Sequence, residues 1–271
     1  MNKTIFITGA SSGIGKITAK YFQEKGWNVV ATMRTPEKEE ELTLLDNVLV
    51  TRLDVRDPAS IKGAVSAGIE KFGKIDVLLN NAGYGAYGPL EATPMEKIRR
   101  QFDVNVIGLM ETIKAVLPHF RINKDGIIIN ISSIGGKMTF PLGSLYHGSK
   151  FAVEGLSEAL SFEMEAIGVK VKIVEPGMIK TDFGGRSFDF NNDENMVEYQ
   201  ETISKLFAAF SVVTETASDP IVVAEVIYKA VTDGSDQLRY TAGEDAKAIV
   251  AQRKQLSDAE FIGGIKAQFG L

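Results

Sequence analysis

The residues best suited to chemistry in this sequence are a tyrosine and a lysine four positions apart. Tyr146 and Lys150 belong to the segment Tyr-His-Gly-Ser-Lys, and Ser133 precedes the tyrosine by thirteen residues. In a helix, residues with this spacing share one face. An ammonium beside a phenol favours the phenolate, and lowering a phenol pKa from ~10 to about 7 requires about 4 kcal/mol. Such a tyrosine could exchange a proton at neutral pH, although this spacing is also common on exposed helix surfaces.

A glycine-rich segment near the N-terminus has the arrangement of a nucleotide-phosphate site. A short apolar run over residues 3–8 predicts a strand, the spacing G-x-x-x-G-x-G follows, and a helical pattern continues to Gly26. Glycines let the backbone approach a pyrophosphate, and the helix N-terminus offers free N–H groups. Plain strand–helix packing is the alternative. The residues expected to bind the cofactor here are Gly9, Ser11, Ser12, Gly13, Ile14 and Gly15.

The ends of the second and third predicted strands suggest which dinucleotide is bound. The strand over 27–33 ends at Met33 and Arg34. A carboxylate at this place holds the ribose hydroxyls of NAD, whereas an arginine accommodates the 2′-phosphate of NADP. Arg34 therefore favours NADP, unless it is only a solvated loop residue. The strand over 48–53 leads to Asp54 and Val55, which could cap an adenine pocket, although Asp54 could equally be a turn residue.

Three further segments place small or polar residues after predicted elements. A strand over 75–79 runs into Asn80-Asn81-Ala82-Gly83, where small residues let the backbone touch a ligand. A long helix is predicted over 94–120, and Asn105 is unfavourable in its interior. Asn105 is therefore either functional or a satisfied polar residue of the core. An apolar strand over 126–131 ends at Ser132-Ser133.

The C-terminal third continues the pattern with one irregular part. A strand over 169–174 ends at Glu175-Pro176-Gly177, and a helix over 220–232 and a strand over 238–241 close the fold. Residues 183–218 contain an acidic stretch, and a helix is predicted after it. We interpret 183–218 as a flap that covers the site, with a solvated surface excursion as the alternative. The alternation of strands and helices predicts one domain over 1–271, a Rossmann-type α/β fold with a doubly wound parallel sheet of about seven strands.

Composition excludes several classes of function. The 271 residues carry a formal net charge of −5, which argues against nucleic acid or an anionic membrane as partner. The sequence has no cysteine, so disulfides and thiolate chemistry are excluded, and a cytoplasmic location is expected. Its two histidines, His119 and His147, lack the spacing of a metal site. We predict that His147 faces away from the chemistry. The N-terminal apolar run is too short for a signal peptide or a membrane span.

These motifs, taken together and in this order, resemble the short-chain dehydrogenase/reductase family over nearly the whole chain. The resemblance rests on Thr-Gly-Ala-Ser-Ser-Gly-Ile-Gly at 8–15, Asn-Asn-Ala-Gly at 80–83, Asn105, Ser133, Tyr146 with Lys150, and Pro176-Gly177 followed by Thr181. The sequence departs from the pattern at Met33, where an acid is common. Ser12 stands where some NADP-dependent members place a basic residue, so the NADP prediction depends on Arg34.

The resemblance implies a role for each matching residue. Tyr146 would be the general acid or base, and Lys150 would hold the nicotinamide ribose and lower the pKa of Tyr146. Ser133 would orient the substrate oxygen. Asn105 would distort its helix and hold a water in a proton relay to Lys150. The backbone from Asn81 through Ala82 to Gly83 would line the adenosine and ribose, and Thr181 with Ile179, from the loop of Pro176 and Gly177, would orient the nicotinamide.

The resemblance is greatest to the carbonyl reductase and hydroxysteroid dehydrogenase branch. It implies an NADP(H)-dependent enzyme for ketones (or aldehydes) and alcohols, and a homo-oligomer, either a tetramer or a dimer. A bulky, apolar carbonyl substrate is expected because apolar residues cluster in the segments that should form the pocket wall: Tyr84, Tyr87, Met138, Phe140, Leu142, Met178, Phe183 and Phe188. The alternatives are an NAD-preferring alcohol dehydrogenase, a sugar-nucleotide epimerase or dehydratase, and a dinucleotide sensor without catalysis.

Overall fold

A seven-stranded sheet, parallel throughout, lies at the centre of the computed structural model, which describes residues 2–215 and 217–271. The strand order is β3-β2-β1-β4-β6-β7-β9. These strands are β1 (Thr4–Ile7), β2 (Asn28–Met33), β3 (Val48–Arg52), β4 (Val77–Asn80), β6 (Gly126–Ile131), β7 (Val169–Pro176) and β9 (Arg239–Ala242). The order reverses between β1 and β4, and in such sheets ligands bind outside the carboxyl ends of the strands at that point.

Helices cover both faces of the sheet, as the predicted doubly wound fold requires. Side chains alternate along β1, so that Ile5 and Ile7 pack on one face and Phe6 on the other. The first face is covered by α1 (Gly13–Glu24) and α7 (Pro220–Thr232), and the second by α2 (Pro58–Phe72), α4 (Gly108–Asn123) and α5 (Ser144–Glu165). The α/β fold class predicted from the sequence is confirmed.

Local sequence signals set the ends of two helices where they were predicted. The Asp57 carboxylate accepts hydrogen bonds from the N–H groups of Ala59 and Ser60 at 3.1 and 3.2 Å, so it caps α2. Pro58 occupies the first turn, where its missing N–H costs nothing. At the other end, Gly73 has a φ of +80°, which favours glycine. In the same way Asp219 caps α7 by accepting from the Ile221 N–H at 2.9 Å.

The long helix predicted over 94–120 is present over 95–123, with one wide π turn inside it. The chain forms α3 (Met95–Phe102), then a wide π turn over 103–107, and only then α4. Asn105 lies in that turn. A π turn inserts one residue into a helix and often marks a functional site, so the unfavourable asparagine coincides with the interruption.

A second, two-stranded parallel sheet was not predicted. It pairs β5 (Gly85–Tyr87) with β8 (Phe188–Phe190), and α6 (Val197–Glu215) follows. Lys97 and Asp189 form an ion pair of 2.6 Å beside it. The predicted flap over 183–218, of which residue 216 lies outside the described residues, is thereby attached through β8 to the chain segment that follows β4. The chain ends with α8 (Glu244–Gln255) and α9 (Asp258–Phe269). None of the helices in the described residues is long and apolar enough to cross a bilayer.

Candidate active site

A cavity of about 860 Å³ opens at the carboxyl ends of the strands, beside the reversal between β1 and β4. It brings together residues that are far apart in the sequence. The predicted site residues that line it are Gly9, Ser11, Ser12, Gly13, Ile14, Arg34, Asp54, Val55, Asn81, Ala82, Gly83, Ser133, Tyr146, Lys150, Pro176, Gly177, Ile179 and Thr181. Two predicted residues, Gly15 and Asn105, are absent from its wall.

The glycine loop is held against the end of β4 by a set of short hydrogen bonds. The Asn81 side-chain amide donates to the carbonyls of Thr8 and Gly9, each at 3.0 Å. The Thr8 hydroxyl oxygen accepts from the N–H groups of Asn81 and Ala82, also at 3.0 Å. Gly9 has a φ of +70°, and a Cβ there would lie 2.9 Å from the Ala82 Cα. The loop geometry therefore depends on glycine at this position.

Gly15 has a different role from the one predicted. A Cβ at this position would collide with the Gly9 carbonyl oxygen and, at 2.5 Å, with the Asn81 side-chain nitrogen. Gly15 therefore lets the first turn of α1 pack under the loop, and its place is beneath the cavity wall instead of in it. The glycine at position 15 correctly indicated a close approach of the backbone, but the group it approaches is the glycine loop of the protein itself and not a ligand.

The N-terminus of α1 fits a pyrophosphate. Ser12 precedes the helix without making a side-chain capping bond, and the first turn carries no acidic residue. The first N–H groups of the helix and its positive dipole end thus remain open to a ligand at the cavity. Small residues leave the backbone accessible there. The residues present therefore fit a dinucleotide.

The part of the cavity beside the ends of β2 and β3 carries two guanidinium groups and one carboxylate. Arg34 lines it and forms no hydrogen bond or ion pair with any other described residue. Asp54 also lines it, and its carboxylate accepts from the Arg56 N–H at 2.9 Å, as expected of a turn residue; its part in an adenine pocket stays a prediction. Arg56, which the sequence reasoning missed, contributes a second guanidinium to the wall.

The three candidate catalytic residues, Ser133, Tyr146 and Lys150, come from the end of β6 and from α5. Ser133 follows β6, and its hydroxyl oxygen accepts from the Gly135 N–H at 3.0 Å. Tyr146 and Lys150 lie one turn apart on α5. The Tyr146 ring stacks on Tyr87 at 5.4 Å between ring centres. Lys150 lies with its Nζ 5.8 Å from the centre of the Tyr146 ring and donates to the Ile131 carbonyl at 2.9 Å.

The direction of the Tyr146 pKa differs from the expectation. Burial raises the pKa of Tyr146, while a hydrogen bond with the Ser133 hydroxyl lowers it to a smaller extent. Burial of the phenol, and not the Lys150 ammonium, sets the direction of the Tyr146 pKa in this structure. Burial lowers the pKa of Lys150 to about 8, with the Glu154 carboxylate acting in the opposite direction. Lys150 therefore remains mostly an ammonium at neutral pH.

Asn105 fastens two elements that surround the cavity. Its amide nitrogen donates to the Tyr84 carbonyl at 2.9 Å and to the Ser149 hydroxyl oxygen at 3.0 Å, and its oxygen accepts from the Tyr84 N–H at 3.1 Å. Its side chain is thus satisfied by the protein, as the structural alternative proposed. It connects the chain after β4 to α5, and its part in a water relay stays a prediction.

Several wall residues were missed because no local motif marks them. Phe207 and Phe210 of α6 line the cavity. Asp245 of α8 accepts from the Met178 N–H at 2.8 Å and fills the space beside Gly177, so it positions the loop after β7. Of the predicted wall, Met138 and Leu142 lie outside the cavity, and those that line it are Tyr84, Tyr87, Phe140, Met178, Phe183 and Phe188.

His147 is among the residues that line the cavity, so the prediction that it faces away from the chemistry is not confirmed, and its ring hydrogen-bonds to the loop between Ser133 and α5. Its ring nitrogens lie 3.0 Å from the Gly135 carbonyl and 3.0 Å from the Phe140 N–H. Among the described residues, no group of three or more histidine or acidic side chains is arranged to hold a metal ion.

Comparison with known proteins gives relatives that share both sequence and activity class. A family model described as short chain dehydrogenase matches residues 3–192. An uncharacterized oxidoreductase of Schizosaccharomyces pombe is 49% identical over 239 residues, which cover 88% of this chain and 100% of that protein. The 3-ketodihydrosphingosine reductase of Bacteroides thetaiotaomicron is 45% identical over 179 residues, which cover 66% of this chain and 65% of that protein.

Solved structures of similar fold support the same family. A short-chain dehydrogenase from Streptomyces avermitilis superposes with a TM-score of 0.84 at 31% identity, covering 99% of this chain and 98% of the other. ElxO with NADP bound superposes with a TM-score of 0.73 at 29% sequence identity, covering 89% of this chain and 98% of the other. The 3-ketoacyl-(acyl-carrier-protein) reductase of Brucella melitensis, complexed with NADH, superposes with a TM-score of 0.74 at 26% identity, covering 90% of this chain and 98% of the other. From the extent of the family match, the chain belongs to the short-chain dehydrogenase family, whose members are oxidoreductases acting on CH–OH groups with NAD(P).

Proposed function

We propose that the protein is an NADP(H)-dependent reductase that interconverts bulky, apolar ketones (or aldehydes) and the corresponding alcohols. One observation carries the proposal: Ser133, Tyr146 and Lys150 line the same cavity as the glycine loop at the N-terminus of α1. A nicotinamide held by that loop would supply or accept the hydride. The protein then has to bind the substrate, orient its carbonyl group and transfer one proton.

The proton chemistry follows from the environment of Tyr146. Burial keeps its phenol protonated, which suits donation of the Oη proton to a carbonyl oxygen during reduction. The Lys150 ammonium, 5.8 Å from the ring centre, stabilises the phenolate that remains. Ser133, whose oxygen accepts from the Gly135 N–H, can use its own proton to hold the substrate oxygen. In alcohol oxidation the same groups act in reverse.

The preference for NADP is inferred from Arg34. Its guanidinium lines the cavity at the end of β2 without an ion pair to any described carboxylate, and the preceding residue is Met33 instead of an acid. A 2′-phosphate would provide the missing anion. ElxO, a structural relative, is known with NADP bound, whereas the Brucella melitensis reductase, with NADH, represents the alternative cofactor.

The apolar substrate is inferred from the aromatic rings of the wall. The Tyr146 ring contacts the rings of Tyr87 and Phe183, and Phe188 packs in turn on Tyr87. Residues 183–218 supply two of these rings and those of α6, which supports their proposed role as the covering of the substrate. The reductase of Bacteroides thetaiotaomicron named above acts, by its name, on a 3-keto compound. We further propose a cytoplasmic homo-oligomer.

The proposal is tested by following oxidation of NADPH and NADH against a panel of aryl, cyclic and long-chain ketones. We expect turnover with NADPH, and a preference over NADH that falls roughly tenfold or more in Arg34→Ala, because a charged hydrogen bond contributes about 1.5–3 kcal/mol. Arg52→Ala is the matched control, since Arg52 pairs with Met33 in the neighbouring strand but lies outside the cavity.

Other outcomes are equally informative. Equal use of NADH would keep the reductase and remove the role of Arg34. Tight dinucleotide binding without turnover of any ketone would contradict the proposed reaction and favour a dinucleotide sensor.

A further inference from the structure

His147 connects the cavity wall to the residue that holds the substrate. Its side chain is almost completely buried, with 2% of its surface exposed. Two ring nitrogens face two points of one loop, the Gly135 carbonyl at 3.0 Å and the Phe140 N–H at 3.0 Å. This loop runs from Ser133 to α5 and passes along the cavity. No other side chain forms two bonds with this loop in the described part of the chain.

The two partners determine the protonation state of the ring. A carbonyl only accepts, so Nδ1 must carry a proton, and a backbone N–H only donates, so Nε2 must be unprotonated. His147 is therefore neutral and protonated at Nδ1. Protonation of Nε2 would break the bond to Phe140. Burial lowers the pKa of His147, which preserves this state.

The contacts around the ring leave little freedom. A Cβ on Gly143 would lie 2.6 Å from the ring Cδ2, and a Cβ on Gly135 would lie 2.9 Å from Nδ1. Tyr146 and Tyr87 are the titratable groups whose rings contact the imidazole, at 5.7 and 6.2 Å between centres. No charged side chain among residues 2–215 and 217–271 forms an ion pair with it.

Each nitrogen serves a different part of the site. Gly135, held through its carbonyl by Nδ1, donates its N–H to the Ser133 hydroxyl oxygen at 3.0 Å. Phe140, held through its N–H by Nε2, lines the cavity and packs its ring against Phe269 of α9 at 5.9 Å. The first arm thus orients the residue that holds the reacting oxygen, and the second fixes a wall of the substrate pocket.

We propose that His147 is a positioning residue with two separable arms, in which Nδ1 aligns Ser133 and Nε2 holds the Phe140 wall. The kinetic consequence rests on the ketone reduction proposed above. The Nδ1 arm should govern kcat, because it orients Ser133 in the transition state. The Nε2 arm should govern KM for the ketone, because it shapes the pocket.

Two amides separate the arms, because an asparagine amide reaches the position of Nδ1 and a glutamine amide reaches that of Nε2. In His147→Asn, the Gly135 bond is kept, and we expect kcat within about threefold of wild type and KM for the ketone roughly tenfold higher. In His147→Gln, the Phe140 bond is kept, and we expect the reverse pattern. NADPH affinity should be unchanged in both.

The control is His119→Asn. The His119 Nε2 accepts from the Ile75 N–H at 3.1 Å, a bond of the same kind located outside the cavity. This variant should lose stability without altering kcat or KM. An equal loss of kcat in both His147 variants, with no split between kcat and KM, would show a merely structural role and overturn the proposal.

Nuclear magnetic resonance of protein labelled with ¹⁵N-histidine tests the geometry independently of activity. The sequence has two histidines, and the His147 signals are those lost in His147→Gln. We expect a protonated Nδ1 and an unprotonated Nε2 at pH 7, and a rise in KM as pH falls through the titration of this ring. An imidazolium, or a proton on Nε2, would overturn the proposal even if no ketone were found to react.

Discussion

The two halves of the cavity are built from different materials. The half that we propose binds the dinucleotide, here called the dinucleotide half, consists of backbone and small residues from 8–15 and 80–83, held by the side chains of Thr8 and Asn81. The half that we propose binds the substrate, here called the substrate half, consists of large rings that come from separate segments between β4 and α9. In the first half a ligand meets N–H groups whose positions the loop dictates. In the second it meets side chains that can be exchanged without changing the backbone.

This difference has a consequence for how each half tolerates substitution. A Cβ at Gly9 or Gly15 would meet backbone or a fixed amide, so a change there alters the loop itself. A smaller ring in the substrate half removes contact area and leaves the sheet intact. We therefore expect cofactor binding to be sensitive to single atoms, and substrate choice to vary gradually with the size of the rings.

Tyr146 stands at the border of the halves, and its removal should have the largest effect. In Tyr146→Phe the ring packing on Tyr87 is kept while the proton donor is lost. We expect turnover to fall by about 10²–10⁴-fold, with NADPH affinity unchanged in a fluorescence titration. Tyr228→Phe, in α7 and outside the cavity, is the control. Substantial turnover in Tyr146→Phe would contradict the proposed proton donor.

Gly9→Ala should damage the dinucleotide half alone. The new methyl group would meet the Ala82 Cα at 2.9 Å, and the residue would keep a φ of +70° that costs about 1–2 kcal/mol outside glycine. We expect NADPH to bind roughly 10- to 100-fold more weakly by calorimetry. Gly63→Ala in α2, where nothing lies within 4 Å, should leave affinity unchanged and stabilise the fold by about 0.5–1 kcal/mol. Equal affinities of wild type and Gly9→Ala for NADPH would contradict this prediction and show that the loop accommodates the methyl group.

Phe207→Ala should damage the substrate half alone. The ring lines the cavity and contacts Phe190 at 4.8 Å between centres. Because the ring is partly exposed, its removal loses only part of the free energy that a fully buried ring contributes. We expect KM for a bulky ketone to rise roughly tenfold, less for a small ketone, with NADPH affinity unchanged. Phe162→Ala, on the exposed side of α5, is the control. A change in NADPH affinity would mean that the halves are not independent.

The pH dependence should be the smallest effect near neutrality. Burial lowers the pKa of Lys150 to about 8, so kcat/KM should fall about tenfold per unit as pH rises above 8 and the ammonium is lost. An unfolded lysine titrates near ~10.4, so between these values the unfolded chain binds more protons. This group's contribution to the free energy of unfolding therefore rises with pH in that window, so deprotonation of Lys150 does not itself unfold the protein. In Lys150→Arg, the fall of kcat/KM above pH 8 should disappear, because arginine keeps its charge in this range.

Much of the fold could be predicted because its signals are local. Asp57 with Pro58 and Asp219 with Pro220 mark helix starts, and the predicted bounds of α2 and α7 are those observed. Apolar runs predicted the parallel strands within about two residues. By contrast, β5 and β8 are three residues each and pair across about a hundred positions. No periodicity can be read from segments so short.

The candidate site divides in the same way. The glycine loop, Ser133, Tyr146 and Lys150 stand in motifs whose spacing already indicates a chemistry. Asp245, Phe207 and the two bonds of His147 carry no such signal, because their roles depend on which backbone groups happen to lie beside them. The pKa of Tyr146 is raised instead of lowered for the same reason, since burial of the phenol depends on residues far apart in the chain.

The sequence by itself determined the order of strands and helices, the dinucleotide loop and the types of residue available for proton transfer. Each of these follows from contacts within a few positions along the chain, which composition and spacing record. Only the tertiary structure decided how the segments after Thr181 form the substrate wall, where the lysine ammonium binds and what holds Ser133 in place. Those contacts join residues far apart in the chain, and their energies depend on burial and geometry that arise only when the sheet has formed.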